Sequence, residues 1–233
     1  MGRLACMGAA KEAEFMFRHH HRPRSVSSFV LVMFLATASL AAQQSAPARV
    51  DKSDVDKYLA GWKAKPREVA DKMIAKYGQP DEATAQRLIW HNNGPWKYTE
   101  LVNEEIPHNF PVPHTDMLYQ SIRYRVADAD KVSSLFKYDG SVIVERTKGE
   151  LAARCDKEEA NFLALNLAND VATGKRSVDD ARRFYNDAIM KMMKEGKPGP
   201  YLQGFQFTAA QSSVGDPDKP FGPVGTSGRQ PIR

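Results

Sequence analysis

Three histidines that lie close together in the sequence are the side chains best suited to chemistry. His91, His108 and His114 all fall in one short stretch, and Asp116 follows two residues after the last of them. Imidazole nitrogens and carboxylate oxygens are common ligands of divalent metal ions. These four residues therefore form a candidate metal site, and the chemistry it would support is that of a metal-dependent, hydrolase-type enzyme.

The spacing of the histidines leaves a second interpretation open. No two of them have the i, i+4 spacing of a helical zinc-protease motif, and no Cys/His zinc pattern is present. His108 and His114 lie in a segment from Ile106 to Asp116 that contains three prolines. Proline restricts regular structure, so the segment is predicted to be a long ordered loop. In that interpretation, the histidines only satisfy backbone groups of the loop.

Aromatic residues on a predicted β-hairpin offer a binding surface. Asn93-Gly94 separates two strand-like runs, 87–90 and 96–102, which is a strong hairpin signal. The predicted binding residues, for a protein or envelope component as ligand, are Trp90, Trp96, Tyr98, His108, Phe110 and His114. The alternative is that the aromatic rings simply pack across the strands into the core.

Other motifs that would indicate a specific chemistry are absent from the sequence. The sequence has no Gly-rich phosphate loop, no Gly-x-Ser-x-Gly elbow and no haem-attachment motif, so no cofactor beyond a divalent metal is expected and catalytic residues stay unassigned. Cys155 is the only cysteine downstream of residue 6. A buried residue at a strand–helix junction is the favoured role for it, with a catalytic thiol as the alternative.

The stretch 138–193 organises the predicted fold. Residues 141–147 are rich in β-branched side chains and predict a strand, which residues 150–155 are expected to continue past a bend at Gly149. Asp156 is predicted to cap a helix and Ser177 a second one. Both helices show apolar residues at three- and four-residue spacing, which predicts a helical hairpin packed on a sheet.

The predicted fold class is α+β, with an antiparallel sheet of about four strands packed against the C-terminal helical hairpin. One domain is expected over residues 52–195, preceded by a polar linker at 42–51. From residue 196 the chain is rich in Pro and Gly without periodicity, which predicts a disordered tail over 196–233.

The N-terminal residues 1–41 have the features of a secretory signal peptide. Basic residues precede an apolar run that starts at Phe29, and Ser39-Leu40-Ala41 offers small residues for cleavage. The run is too short for a typical membrane span, so no stable span is expected after cleavage. Met16, which stands just before the basic region, is the predicted true start. The expected location is therefore periplasmic or secreted.

The charge of the exported part argues against nucleic acid as a partner. The whole chain carries a formal charge of +5, but residues 1–41 hold five basic and two acidic residues, which leaves +2 for residues 42–233. A nearly balanced chain lacks the basic surface that nucleic-acid binding requires.

Residues 67–90 resemble part of a known family. Tyr77-Gly78-Gln79-Pro80-Asp81-Glu82 after a helix, followed by a strand that ends in Trp90, is similar to small bacterial envelope lipoproteins that assist outer-membrane barrel assembly. The whole chain also resembles exported bacterial proteins of unknown function. We therefore expect a non-enzymatic, exported binding protein that acts on a protein or envelope component, with the metal-dependent enzyme as the alternative.

Overall fold

A computed structural model describes residues 49–126, 128–210 and 222. The helices are α1 (Lys52–Leu59), α2 (Ala64–Tyr77), α3 (Ala129–Tyr138), α4 (Glu158–Ala172), α5 (Val178–Glu195) and α6 (Pro200–Gln203). The strands are β1 (Glu82–Ala83), β2 (Arg87–His91), β3 (Tyr98–His108), β4 (His114–Arg123), β5 (Val142–Glu145) and β6 (Glu150–Cys155). No helix in the described part of the chain is both long and apolar enough to cross a membrane.

The predicted α+β class with an antiparallel sheet is confirmed, but the sheet has six strands instead of about four. Its strand order is β1-β2-β3-β4-β6-β5, and all neighbours are antiparallel. Residues 141–155 do not form one bent strand. Gly149 has a φ of 63°, a left-handed conformation that glycine adopts at low cost, and it closes a turn between β5 and β6.

The helices cover one face of the sheet in two groups. Helices α1 and α2 bury Val55 and Met73 against Trp90 and Leu101. Helices α3, α4 and α5 build the larger core, in which Leu163 of α4 is fully buried. Because successive side chains of a strand point to alternate faces, the chain neighbours of Trp90 in β2 and of Leu101 in β3 face away from the helices.

The C-terminal helical hairpin forms as predicted, with one error at its start. Ser177 caps α5, since its side chain accepts a hydrogen bond from the Asp180 N–H at 3.1 Å. Asp156 does not cap α4. That helix has Lys157 as its N-cap residue, with no side-chain capping bond, and the carboxylate of Asp156 lies beside Cys155 instead.

The folded domain extends beyond its predicted end. Residues 197–210 pack on α4: Asn166 accepts from the Gln206 N–H at 2.7 Å, and the ring of Phe205 lies 5.1 Å from that of Trp96. The predicted boundary of the disordered tail at 196 is therefore too early. The remainder of that tail (apart from Gly222), the signal peptide with Met16, and linker residues 42–48 lie outside the described residues.

Candidate functional site

The end of the β3–β4 hairpin places two histidines opposite each other. His108 pairs with His114 in the antiparallel register, so their side chains share one face of the sheet. The loop between them is only 109–113, and the prediction of a long ordered loop from Ile106 to Asp116 is wrong. Pro107 is tolerated in β3 because β2 pairs with β3 only as far as Val102, so no β2 residue needs its missing N–H.

Strand alternation adds a carboxylate to the pair. Asp116 lies two residues after His114 on β4, and side chains two residues apart in a strand point to the same face. Asp116 Oδ1 is 3.0 Å from His114 Nε2, and Asp116 Oδ2 is 3.3 Å from His108 Nδ1. One donor atom from each of the three residues falls within 4.8 Å of the others. The carboxylate thus joins the two imidazoles.

The second nitrogen of each histidine is held by an oxygen outside this group. His114 Nδ1 lies 2.8 Å from the Val112 carbonyl oxygen, and His108 Nε2 lies 3.5 Å from Asp139 Oδ1. Metal-bound histidines almost always donate their outer N–H to a carbonyl or carboxylate in this way, which fixes the ring and leaves the inner nitrogen for the ion. The His114 ring is therefore oriented as that of a metal ligand is, and the outer nitrogen of His108 lies within ion-pair distance of a carboxylate.

The connection from α3 to β5 closes the other side of the cluster. The Asp139 side chain accepts from the Ser141 N–H at 2.8 Å, which forms a tight turn. The Ser141 hydroxyl donates to Asp116 Oδ2 and lies 3.3 Å from His108 Nδ1. Sequence reasoning missed Asp139 and Ser141 as members of the site, because nothing in the sequence indicates that this connection meets the β3–β4 hairpin.

Burying two carboxylates costs free energy unless a positive charge compensates them. Asp116 and Asp139 are each only 2% exposed, and burial raises the pKa of Asp139. The adjacent Asp116 raises the pKa of His114, an effect larger than the opposing one of burial. A divalent cation between the two histidines would compensate the buried negative charge of these carboxylates.

One carboxylate oxygen of the cluster lacks a hydrogen bond. Asp116 Oδ1 is buried and accepts no hydrogen bond from any residue that the structure describes. Its 3.0 Å approach to His114 Nε2 is close, yet it lacks hydrogen-bond alignment. Two ligands of a tetrahedral ion at bond lengths near 2.0 Å lie about 3.3 Å apart, with both lone pairs directed at the ion and not at each other. The observed geometry fits that arrangement.

Cys155 borders the cluster at the end of β6. It pairs with Leu118 of β4 and so faces the same side of the sheet as Asp116. Its Sγ lies 3.4 Å from His114 Nε2. Burial raises the pKa of this thiol well above its usual range. Cys155 and His114 line a cavity of about 200 Å³, together with Pro111, Val112, Tyr185 and Ile189.

The arrangement does not support acyl transfer by serine. His108 lies between the Ser141 hydroxyl and Asp139, an order similar to nucleophile, base and carboxylate. However, the Ser141 hydroxyl donates to Asp116, so its proton is not directed at His108. A developing oxyanion would also meet the Asp116 carboxylate where hydrogen-bond donors are needed.

The fourth predicted metal ligand, His91, lies elsewhere. It ends β2 and its Nε2 is 2.7 Å from Glu82 Oε1, on a different part of the sheet. His91 belongs to no potential metal cluster in the described ranges, whereas His108, His114 and Asp116 form one. The structure thus brings together three of the four residues.

The predicted binding surface is dispersed. Trp90 is fully buried and donates to the Gly78 carbonyl at 3.0 Å, and Trp96 is 1% exposed and donates to Glu158 at 2.7 Å. Tyr98 lies on the opposite face beside Tyr119, with ring centroids 6.1 Å apart. Phe110 packs against Tyr185 of α5, with ring centroids 5.2 Å apart. The tryptophans act in the core, the alternative that the sequence left open.

Comparisons with known proteins identify no relative: no family model, no curated protein and no solved structure matches the chain.

Proposed function

We propose that this is an exported protein that binds a divalent transition-metal ion through His108, His114 and Asp116. The observation that carries the proposal is the convergence of their donor atoms within 4.8 Å in a buried site. Two imidazoles and one carboxylate are ligands suited to Zn²⁺, Fe²⁺ and similar ions, whereas Mg²⁺ and Ca²⁺ prefer oxygen.

The support comes from three independent features of the site. Val112 O and Asp139 Oδ1 hold the outer ring nitrogens, Asp116 Oδ1 lacks a hydrogen bond from any described residue, and the site lies on strands and not on a long loop. Rigid strands place ligands more precisely than loops do. A role in recognising a protein or envelope component has weaker support, since Trp90 and Trp96 are buried.

Export is supported by sequence alone. The basis for export is the basic residues and the apolar run before Ala41. The similarity of residues 67–90 to barrel-assembly lipoproteins also stays a prediction. N-terminal sequencing of the protein recovered from an expressing bacterium tests export. A chain that begins near residue 42 supports it, and a chain that retains residues 16–41 contradicts it.

Elemental analysis of tag-free residues 42–233, with isothermal titration of Zn²⁺ into the chelator-treated protein, tests the metal site. We expect one ion per chain, with binding lost in His114→Gln and Asp116→Asn. His91→Gln is the matched control, because it removes the same side chain from outside the cluster and leaves binding unchanged. No binding by the wild type, or equal loss in His91→Gln, would contradict the proposal. Circular dichroism shows whether each variant is folded.

A further inference from the structure

Three protein ligands leave one position of a tetrahedral ion to be filled. A water molecule from the adjacent cavity would give an open site of the catalytic type, and a protein side chain would give a closed site of the structural type. The side chains around the cluster decide between these two possibilities.

Cys155 is the best placed of the nearby groups. Its Sγ lies 3.4 Å from His114 Nε2. Zn–S bonds near 2.3 Å and Zn–N bonds near 2.1 Å place the two donors about 3.6 Å apart in a tetrahedral site. Cys155 and Asp116 also share a face, since Cys155 pairs with Leu118 and Asp116 is two residues before it. Sγ lies outside the group of donor atoms that fall within 4.8 Å of one another, so ligation by Cys155 requires the thiol to move toward the ion.

The other candidates fit less well. Asp139 contacts the outer nitrogen of His108, so it already serves as the partner that orients that ring. The Ser141 hydroxyl donates its proton to Asp116. Asp156 is one-third exposed, and both of its oxygens already have partners: Oδ2 pairs with Lys157 at 3.2 Å, and Oδ1 accepts from the Cys155 thiol at 3.5 Å.

We propose that Cys155 is the fourth ligand, so that His108, His114, Asp116 and Cys155 form a closed tetrahedral centre for Zn²⁺ or a similar thiophilic ion. This inference rests on the proposed metal-binding function. As the sulfur–metal bond forms, the S–H bond breaks and its proton passes to the buffer, with no change of oxidation state. A closed centre stabilises the fold and does not activate water.

Cobalt substitution tests the inference with a readout that needs no activity. Chelator-treated residues 42–233 are titrated with Co²⁺ under a non-thiol reductant while the absorption spectrum is recorded. We expect the intense visible bands of tetrahedral Co²⁺ together with a near-ultraviolet thiolate-to-cobalt charge-transfer band. Because Cys155 is the only cysteine after Cys6, that band identifies its ligand without any mutation.

Cys155→Ser provides the second arm. We expect it to remove the charge-transfer band and to weaken Co²⁺ binding at least tenfold, while His91→Gln retains both. Visible bands without charge transfer in the wild type would overturn the inference and leave the three-ligand site standing. No Co²⁺ spectrum at all would overturn the proposed function as well.

Discussion

Glu158 is the buried acid on which the junction between α2, β4 and α4 depends. Its carboxylate is almost fully buried and accepts hydrogen bonds from Tyr77 at 2.6 Å, Trp96 at 2.7 Å and Gln120 at 3.2 Å. Lys76 donates to the second oxygen and supplies the opposite charge. Several donors from three elements thus converge on one side chain.

The structure sets the size of the expected effect. Glu158→Ala leaves the Trp96 indole N–H without a partner in a position that is 1% exposed, and removes the countercharge of Lys76. Leaving such a buried donor unsatisfied costs about 1–3 kcal/mol of unfolding free energy. The half-exposed Lys76 adds little to this because water screens its charge. Glu158→Gln keeps one acceptor oxygen and loses the charge-assisted bond, which costs about 1–2 kcal/mol because Lys76 is half exposed.

Urea denaturation followed by circular dichroism measures these differences, with the m-value as a check that the unfolding transition is unchanged. Glu68→Gln is the matched control, since Glu68 also pairs with a lysine of α2, Lys72, but on the exposed surface. It is expected to leave the midpoint unchanged. A Glu158→Ala midpoint equal to that of Glu68→Gln would refute the reasoning.

The pH dependence follows from the same contacts. Burial alone raises the pKa of Glu158, but the hydrogen bonds from Lys76, Tyr77 and Trp96 outweigh it and the net pKa is lowered. A lowered folded-state pKa means that the stabilisation is complete above the usual glutamate pKa and is lost as the pH falls through the folded-state value. The difference in stability between wild type and Glu158→Gln therefore shrinks in acid.

Three further outcomes are expected. Zn²⁺ at a hundredfold excess over its dissociation constant raises the melting temperature of the wild type by about 5–10 °C, and not that of Asp116→Asn, in thermal scans. Ser177→Ala lowers the unfolding free energy by about 1 kcal/mol in urea, because α5 loses its cap; an unchanged midpoint contradicts this. Phe205→Ala lowers it by about 1–3 kcal/mol through lost contact with Trp96 and Phe162, and a neutral result would mean that the segment after α5 contributes nothing to stability.

Local sequence patterns correctly predicted those features whose physical cause lies in neighbouring residues of the chain. The Ser177 cap and the hairpin of β2 and β3 follow from neighbouring residues, so the sequence predicts them. Asp156 failed as a cap because it lies beside Cys155 at the end of β6, a tertiary contact that the local pattern does not contain. The tail boundary failed for a similar reason, since Asn166 and Trp96 hold residues 205 and 206.

The candidate site was predictable in its residue types and not in its geometry. His108, His114 and Asp116 are visible as a cluster in the sequence, but the prolines around them indicate a loop. Recognising that Pro107 lies where β3 has no β2 partner requires the sheet order. The separation of His91 and the approach of Cys155 follow from strand register, and the approach of Ser141 follows from the path of the connection between α3 and β5.

The most direct test of the metal site is a crystal structure of the Zn²⁺-loaded protein with anomalous data collected on both sides of the zinc absorption edge. We expect one strong anomalous peak per chain, about 2.0–2.3 Å from donor atoms of His108, His114 and Asp116. A fully loaded crystal with no peak there, or with its only peak at His91, would contradict it.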